Sequence, residues 1–329
     1  MTAVAALAGG VGAAKLLTGM IQVVDQPSLT IVANTGDDTV MHGLTICPDI
    51  DTLVYTLAGA VNPETGWGLT GETWNAMDAL DRYGGPTWFR LGDRDLGTHL
   101  YRTGRLGRGA TLSEVTAEIA RSWGLSMKIL PMSDQPVATR VTLAAISGET
   151  DPPGEAANPR KSDLPEEVGF QDYFVRMGHQ VAVSGLCFQG ADRAAPAPGV
   201  LDALDEAGAI VICPSNPLVS IGPILSVAGI ADRLTARRDR VVAVSPIVAG
   251  AALKGPADRM MTELGHEATV VGVARLYTAV ASSLVIDHAD AALAGAVEEI
   301  GMKCIVTRTI MDSPAVAAEL ARVVLASAG

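Results

Sequence analysis

Short apolar runs recur along the chain, separated by segments with helical spacing. Residues 2–8 are almost wholly apolar and stop at Gly9-Gly10-Val11-Gly12. Residues 13–23 then carry Leu16, Leu17, Met20 and Val23 at three- and four-residue spacing, which is one face of a helix. Residues 29–33 are continuous and rich in β-branched side chains, the pattern of a strand buried on both faces. Strand, glycine turn, helix and strand within about 30 residues form the opening unit of a nucleotide-binding α/β fold.

The pattern then turns helical. Residues 49–60, 72–83, 93–103 and 111–123 each read as a helix. The last opens Thr-Leu-Ser-Glu-Val, where Thr111 or Ser113 can cap and Glu114 can support the first turn. Residues 62–124 are therefore expected to form a helix-rich insertion over the sheet edge, carrying Trp67, Trp74, Trp88 and Trp123. Strands are predicted again at 128–130, 140–146, 180–187, 209–213, 240–244, 283–286 and 304–306, and a capped helix at 313–328. The expectation is a single α/β domain over 1–329: a Rossmann-like, mostly parallel sheet flanked by helices, with that insertion. Residues 148–167 are rich in Pro and Glu and non-periodic, and are read as a mobile surface loop.

Composition sharpens this picture. The chain has 329 residues, 48% hydrophobic and only 4% aromatic, which suits a parallel α/β sheet better than a sandwich. The formal net charge of −12 leaves no basic face for nucleic acid. The densest basic cluster, residues 236–240, reads as a solvated helix end. An acidic protein can still bind an anionic ligand if a metal or a set of N–H donors supplies the positive field. Cys47, Cys187, Cys213 and Cys304 form no CxxC pair, so reduced thiols in the cytosol are expected. No apolar run reaches membrane-spanning length, and the N-terminal run has no basic region before it. A soluble cytoplasmic protein is expected.

Four stretches carry candidate chemistry. Gly9, Gly10, Gly12 and Lys15 follow the first strand, where backbone N–H groups can approach a phosphate. Lys15 stands where a dinucleotide fingerprint has its third glycine, and the loop is not a Walker A sequence. A merely tight turn is the competing reading. After the second strand come Asn34 and then Asp37, Asp38, Asp49 and Asp51, with His42 among them. Four carboxylates are too many for one ribose. Clustered hard oxygen ligands suit Mg²⁺ or Ca²⁺, with Mg²⁺ the usual companion of phosphates, against the alternative that each aspartate caps a helix or turn. Third, Asp93, Arg94, Asp95 and His99 alternate charge at a helix start, which reads either as a site or as an exposed salt-bridged turn. Fourth, Ser215 and Asn216 follow a strand at its carboxyl end, where α/β folds bind ligands.

These stretches, in this order, resemble the 2-phospho-L-lactate transferase family, the CofD/FbiA enzymes of coenzyme F-420 biosynthesis. The likeness rests on GGVGAAKLL, NTGDDTVMHGLTICPDIDTLVYTLAG, NPETGWG, ETWNAM, WFRLGDRDLGTHL, PSNPLVSIGPIL and SPIVAGAALKGPADRMM, and runs from Ala6 to about Ser313. It implies a guanosine-diphospho donor of a small carboxylic acid and an acceptor deazariboflavin, 7,8-didemethyl-8-hydroxy-5-deazariboflavin. The ribityl hydroxyl of the acceptor attacks the phosphorus that carries the acid, GMP leaves, and Mg²⁺ is required. It further implies Asp37 and Asp51 as first metal carriers with Asp49 and Asp38 next. Asp51, Arg94, Asp93 and His99 fall against the deazaflavin, with Asp51, Asp37 and Arg94 as the catalytic set. Gly9, Gly10, Gly12, Lys15, Asn34, Ser215 and Asn216 hold the nucleotide. Val11 stands where archaeal members tend to carry threonine, and the NTGDD, MHG and GWG pieces look like the actinobacterial branch, in which enolpyruvyl is the transferred acid. A homodimer is implied.

Two other classes compete. A nucleotide-sugar-binding regulator of the gluconeogenesis-factor type shares the glycine-rich opening and a similar acidic stretch, but LGDRDLGTHL and NPETGWG resemble the transferases' acceptor side. An NAD(P) oxidoreductase would need the third glycine and fewer aspartates.

Overall fold

The computed structural model describes residues 3–144 and 167–328. The sequence-predicted loop at 148–167 lies outside the described residues except for Glu167.

Seven parallel strands form the central sheet. They are β1 (Val4–Ala8), β2 (Leu29–Ala33), β5 (Lys128–Pro131), β9 (Ala209–Ile212), β10 (Val241–Val244), β13 (Ser283–Ile286) and β14 (Lys303–Val306), in the order β14-β13-β10-β9-β1-β2-β5. The two-residue period divides each strand between two cores. Ala5, Leu7, Ile210, Ile212, Leu284 and Ile286 face one helical layer, while Val4, Ala6, Ala8, Val211 and Val285 face the other. That is why β1, β9 and β10 are continuously apolar in sequence.

Chain order reverses beside β1. The chain runs outward from β1 to β2 and β5, then returns to β1's other flank as β9. The crevice beyond the carboxyl ends of β1 and β9 is the topological switch point, where such sheets bind ligands. Helix α1 (Gly10–Met20) leaves β1 there and packs on the last helix, Pro314–Ala326. The approach is close: a Cβ on Gly19 would fall 2.1 Å from the Ala317 carbonyl oxygen.

Two predicted strands lie elsewhere. The described residues of the runs at 140–146 and 180–187 belong not to the parallel sheet but to a three-stranded antiparallel one. It consists of β6 (Ala138–Leu143), β7 (Glu167–Gly169) and β8 (Val183–Gln189), in the order β7-β6-β8. Strand β6 alternates half-buried and buried positions, so it has one packed face, a pattern distinct from the fully buried strands. A hairpin, β3 (Thr39–Met41) and β4 (Leu44–Ile46), was also not predicted. Its turn residues His42 and Gly43 have φ of 53° and 75°, as a tight two-residue hairpin requires, but His-Gly is a weak turn signal in sequence. A second small hairpin pairs β11 (Ile247–Val248) with β12 (Ala251–Ala252).

Helix α2 (Pro48–Leu57) follows β4, and the insertion carries α3 (Asn75–Arg82), α4 (Asp93–Leu106) and α5 (Leu112–Ser122). The α5 cap is Thr111: its hydroxyl accepts the Glu114 N–H and the Glu114 carboxylate accepts the Thr111 N–H. Ser113 instead donates its N–H and hydroxyl to Asp134. Helix α3 starts three residues after the predicted 72, because Glu72 is spent on α4. Its carboxylate accepts the N–H groups of Arg94 and Asp95 at 2.8 and 2.9 Å. Asp93 returns the favour, accepting the N–H groups of Asn75 and Ala76 at the start of α3, both at 3.0 Å. The two helices thus cap each other. Among the described residues no single helix is long and apolar enough to cross a membrane.

Candidate functional site

The glycine turn is built by close approach. A Cβ on Gly12 would meet the Pro214 carbonyl oxygen at 2.2 Å, so this position must be glycine for α1 to reach the loop after β9. From that loop the Ser215 hydroxyl accepts the Gly9 N–H at 3.2 Å. Gly10 has φ of +72°. Directly across the turn lies a carboxylate: a Cβ on Gly9 would sit 2.6 Å from Asp49 Oδ2, and one on Gly10 would sit 3.6 Å from Asp49 Oδ1. Asn34 secures that carboxylate, donating from Nδ2 to Asp49 Oδ2 at 2.8 Å while its Oδ1 accepts the Gly36 N–H. Gly9, Gly10, Gly12, Asn34 and Ser215 therefore converge. The Asn216 side chain is used locally, accepting the N–H groups of Leu218 and Val219. Lys15 is exposed on α1.

The acidic stretch folds back on itself through the β3–β4 hairpin. This brings Asp37 and Asp38, at one end, towards Asp49 and Asp51 in the first turn of α2. Burial and the neighbouring Asp49 and Asp38 push the Asp37 carboxyl well above its ordinary range. Burial does the same to Asp38, against the pull of the neighbouring Cys47 thiol and Arg102. Burial raises Asp49 to about 6, against the pull of Asn34 and the Gly10 backbone. Gln171, at the start of the short helical segment after β7, donates to Asp37 Oδ2 at 3.2 Å and to the Asp37 carbonyl at 3.1 Å. Asp37 Oδ1 and Asp38 Oδ1 are buried and have no partner among the described residues. Buried acceptors left without donors are costly. Beside them lies a cavity of about 230 Å³, bounded by Gly36–Val40, Ala138–Arg140 and Gly169–Asp172. Hard, unpartnered oxygen donors that repel one another fit a divalent cation such as Mg²⁺.

Asp51 sits in a different environment. Both its oxygens are taken by one guanidinium: Arg102 Nη2 binds Oδ1, and Nη1 donates to Oδ2 at 3.1 Å. Arg102 is fully buried. Its Nη1 also reaches the Thr45 carbonyl at 3.3 Å and lies 3.2 Å from His99 Nδ1. His99 Nε2 lies 3.2 Å from Asp95 Oδ2, and the Tyr55 hydroxyl donates to Asp95 Oδ1 at 2.6 Å. Asp51, Asp95 and His99 offer ligand atoms within 4.8 Å of one another, a spacing that could hold an ion. Arg102 already supplies the positive charge at that point. Burial still raises the Asp51 carboxyl, with Arg102 and His99 opposing.

Sequence reasoning missed Arg102, although the signal was there: Asp95, His99 and Arg102 stand at i, i+4 and i+7 of α4, on one helix face. The other residues expected near an acceptor divide. His99 is 1% exposed and enclosed, so it acts through its neighbours. Asp93 accepts from the Thr73 hydroxyl, the Asn75 side chain and two backbone N–H groups, which hold its carboxyl down at about 2. Its role is the α3 cap. Arg94 is exposed, and its guanidinium donates to the Thr70 carbonyl at 2.6 Å.

A family model described as 2-phospho-L-lactate transferase CofD matches residues 4–299. The phosphoenolpyruvate transferase of Kitasatospora aureofaciens is 42% identical over 328 residues, covering 99% of this chain and 97% of that one. The enzyme of the same name from Streptomyces griseus is 41% identical over 318 residues, covering 96% and 95%, and that from Nocardia farcinica 39% over 326 residues, covering 98% and 94%. The crystal structure of a UPF0052-family protein from Bacillus halodurans aligns over 98% of each chain, with a TM-score of 0.63 at 14% identity. That last likeness is one of fold alone.

Proposed function

Because the chain belongs to the 2-phospho-L-lactate transferase CofD family, we propose that it is a phosphoenolpyruvate transferase acting on a guanosine-diphospho donor and a deazariboflavin acceptor. Enolpyruvyl is favoured over lactyl because relatives at 39–42% identity carry that name. The terminal ribityl hydroxyl of 7,8-didemethyl-8-hydroxy-5-deazariboflavin attacks the phosphorus bearing the acid. A new P–O bond forms, the bond from that phosphorus to the bridging oxygen breaks, and GMP leaves with the bridging oxygen and its electron pair. The product is a phosphodiester, dehydro coenzyme F-420-0.

One observation carries this reading: a cluster of buried carboxylates, two of whose oxygens have no partner among the described residues, stands beside the topological switch point, between the glycine turn and the fixed Asp51. Transfer of this kind needs positioning and charge neutralisation more than covalent chemistry. We assign Asp37 and Asp38 as Mg²⁺ ligands, with Asp49 behind them. Magnesium, when bound, would neutralise charge on the diphosphate and on departing GMP. Gly9, Gly10, Gly12, Lys15 and Ser215 receive the nucleotide. Asp51 aligns the acceptor hydroxyl and takes its proton, and Arg94 meets the deazaflavin from the exposed side of α4.

The test is mass spectrometry of the product when lactyl, enolpyruvyl and glyceryl donors compete for the deazariboflavin in the presence of Mg²⁺. The enolpyruvyl adduct should dominate and should need the metal. Absence of every adduct, or binding of a UDP-sugar with no turnover, would sink the reading.

A further inference from the structure

Arg102 has no part in the chemistry described above, yet it is a fully buried charge in the insertion and spends both terminal nitrogens on a residue of the nucleotide-binding core. We propose that Arg102 is a positioning residue that fixes the plane of the Asp51 carboxylate towards the acceptor hydroxyl, an inference that rests on the transferase reading. The fork is anchored from both sides. Its Nη1 also reaches the Thr45 carbonyl at the foot of the β3–β4 hairpin, and His99, one turn earlier on α4, stands 3.2 Å from the same nitrogen. Behind His99, Asp95 is gripped by the Tyr55 hydroxyl of α2, and Tyr55 packs edge-on against Trp123 at 5.6 Å. The insertion thereby sets the angle of a core carboxylate through one rigid contact.

The chemistry explains why this residue is arginine. A guanidinium meets a carboxylate through two parallel N–H bonds and so dictates its plane. A lysine would keep the charge but leave the plane free. Asp51, in the first turn of α2 close to Asp38 and Asp95, would otherwise turn away from its like-charged neighbours.

Arg102→Lys tests the plane apart from the charge. The expected result is a drop of roughly 10- to 100-fold in kcat over the KM for deazariboflavin, the scale of a misaligned reacting group. The donor KM and the metal requirement should stay within about twofold. Weakened donor and acceptor parameters falling together with the melting temperature would mark a merely structural residue and overturn the proposal. If Arg102→Lys does not fold, the double variant Asp51→Asn/Arg102→Gln decides, because it replaces the ion pair by an amide pair. Its residual turnover should equal that of Asp51→Asn alone. A further loss of about tenfold or more would show that Arg102 acts other than through Asp51. Wild-type protein that fails to bind deazariboflavin in an equilibrium titration would count against the transferase reading itself, an outcome distinct from either of these.

Discussion

The two arms of the acidic stretch carry the same residue type and meet opposite fates. At one arm, Asp37 and Asp38 lie within repulsive reach of Asp49, with an oxygen on each left without a partner among the described residues. At the other, Asp51 has both oxygens on Arg102. The first arm is incomplete and suited to a cation that arrives with substrate. The second is complete and suited to hold still. What separates them is the opposing side chain: the neutral Gln171 in one case, and the cationic Arg102 in the other.

That contrast fixes the signs of several substitutions. The largest effect on stability should come from Arg102→Met, which strands Asp51 as a buried, unpaired charge. A loss of about 3–5 kcal/mol is expected by chemical denaturation at neutral pH. Little change would mean the pair is not buried in solution. Asp49→Asn should act in the opposite direction. The folded-state pKa of about 6 lies above the usual 3.8, so the native state holds its proton more tightly, and stability falls as pH rises between those values. The variant's advantage should therefore be absent below the lower value and reach about 3 kcal/mol above the upper one, measured in chelator. A pH-independent difference would show that burial is not the cause of the shift.

Asp37→Asn sharpens the same comparison through the metal. In chelator the variant should be more stable than wild type, since a desolvated and repelled carboxylate has gone. Added Mg²⁺ should raise the wild-type melting temperature, with about 2.7 kcal/mol of stabilisation at a hundred times Kd, and should do little for the variant. An equal metal response in both would remove Asp37 from the ligand set. The same titration on Asp51→Asn should still show the metal response, because that arm is already satisfied.

Much of this was legible before any coordinates. Wholly apolar runs at β1, β9 and β10, and nearly apolar ones at β2 and β13, read as interior strands, and the glycine turn after β1 pointed to where the crevice lies. Half-exposed β6 and β8 were placed in the wrong sheet, because length and β-propensity identify a strand but not its partner. Within the site, the carboxylates were visible as a cluster. Their division was not, because Arg102 lies 51 residues from Asp51 and only the packing of α4 on β4 brings them together. Charge alternation in residues 93–99 left a site and an exposed salt-bridged turn both open; Asp95 and His99 point inwards and Asp93 caps a neighbour.

The smallest effect expected is also the one that tests how the insertion is held. Asp93 stands two residues from Asp95 in a stretch expected to touch the deazaflavin, but its carboxylate closes the start of α3 through two backbone N–H groups. Asp93→Ala should lower the melting temperature only modestly, the behaviour of a lost helix cap. Asp93→Asn should restore part of the loss, since its side-chain oxygen can accept one of those bonds. Because the cap holds α3 while Glu72 separately holds the start of α4, the Arg102–Asp51 contact should survive and the deazariboflavin KM should change by no more than about twofold. A rise of tenfold or more with an unchanged melting temperature would return Asp93 to the acceptor site. It would also mean that the two reciprocal caps are not independent, and that α4 is positioned through α3 as well as by its own buried arginine.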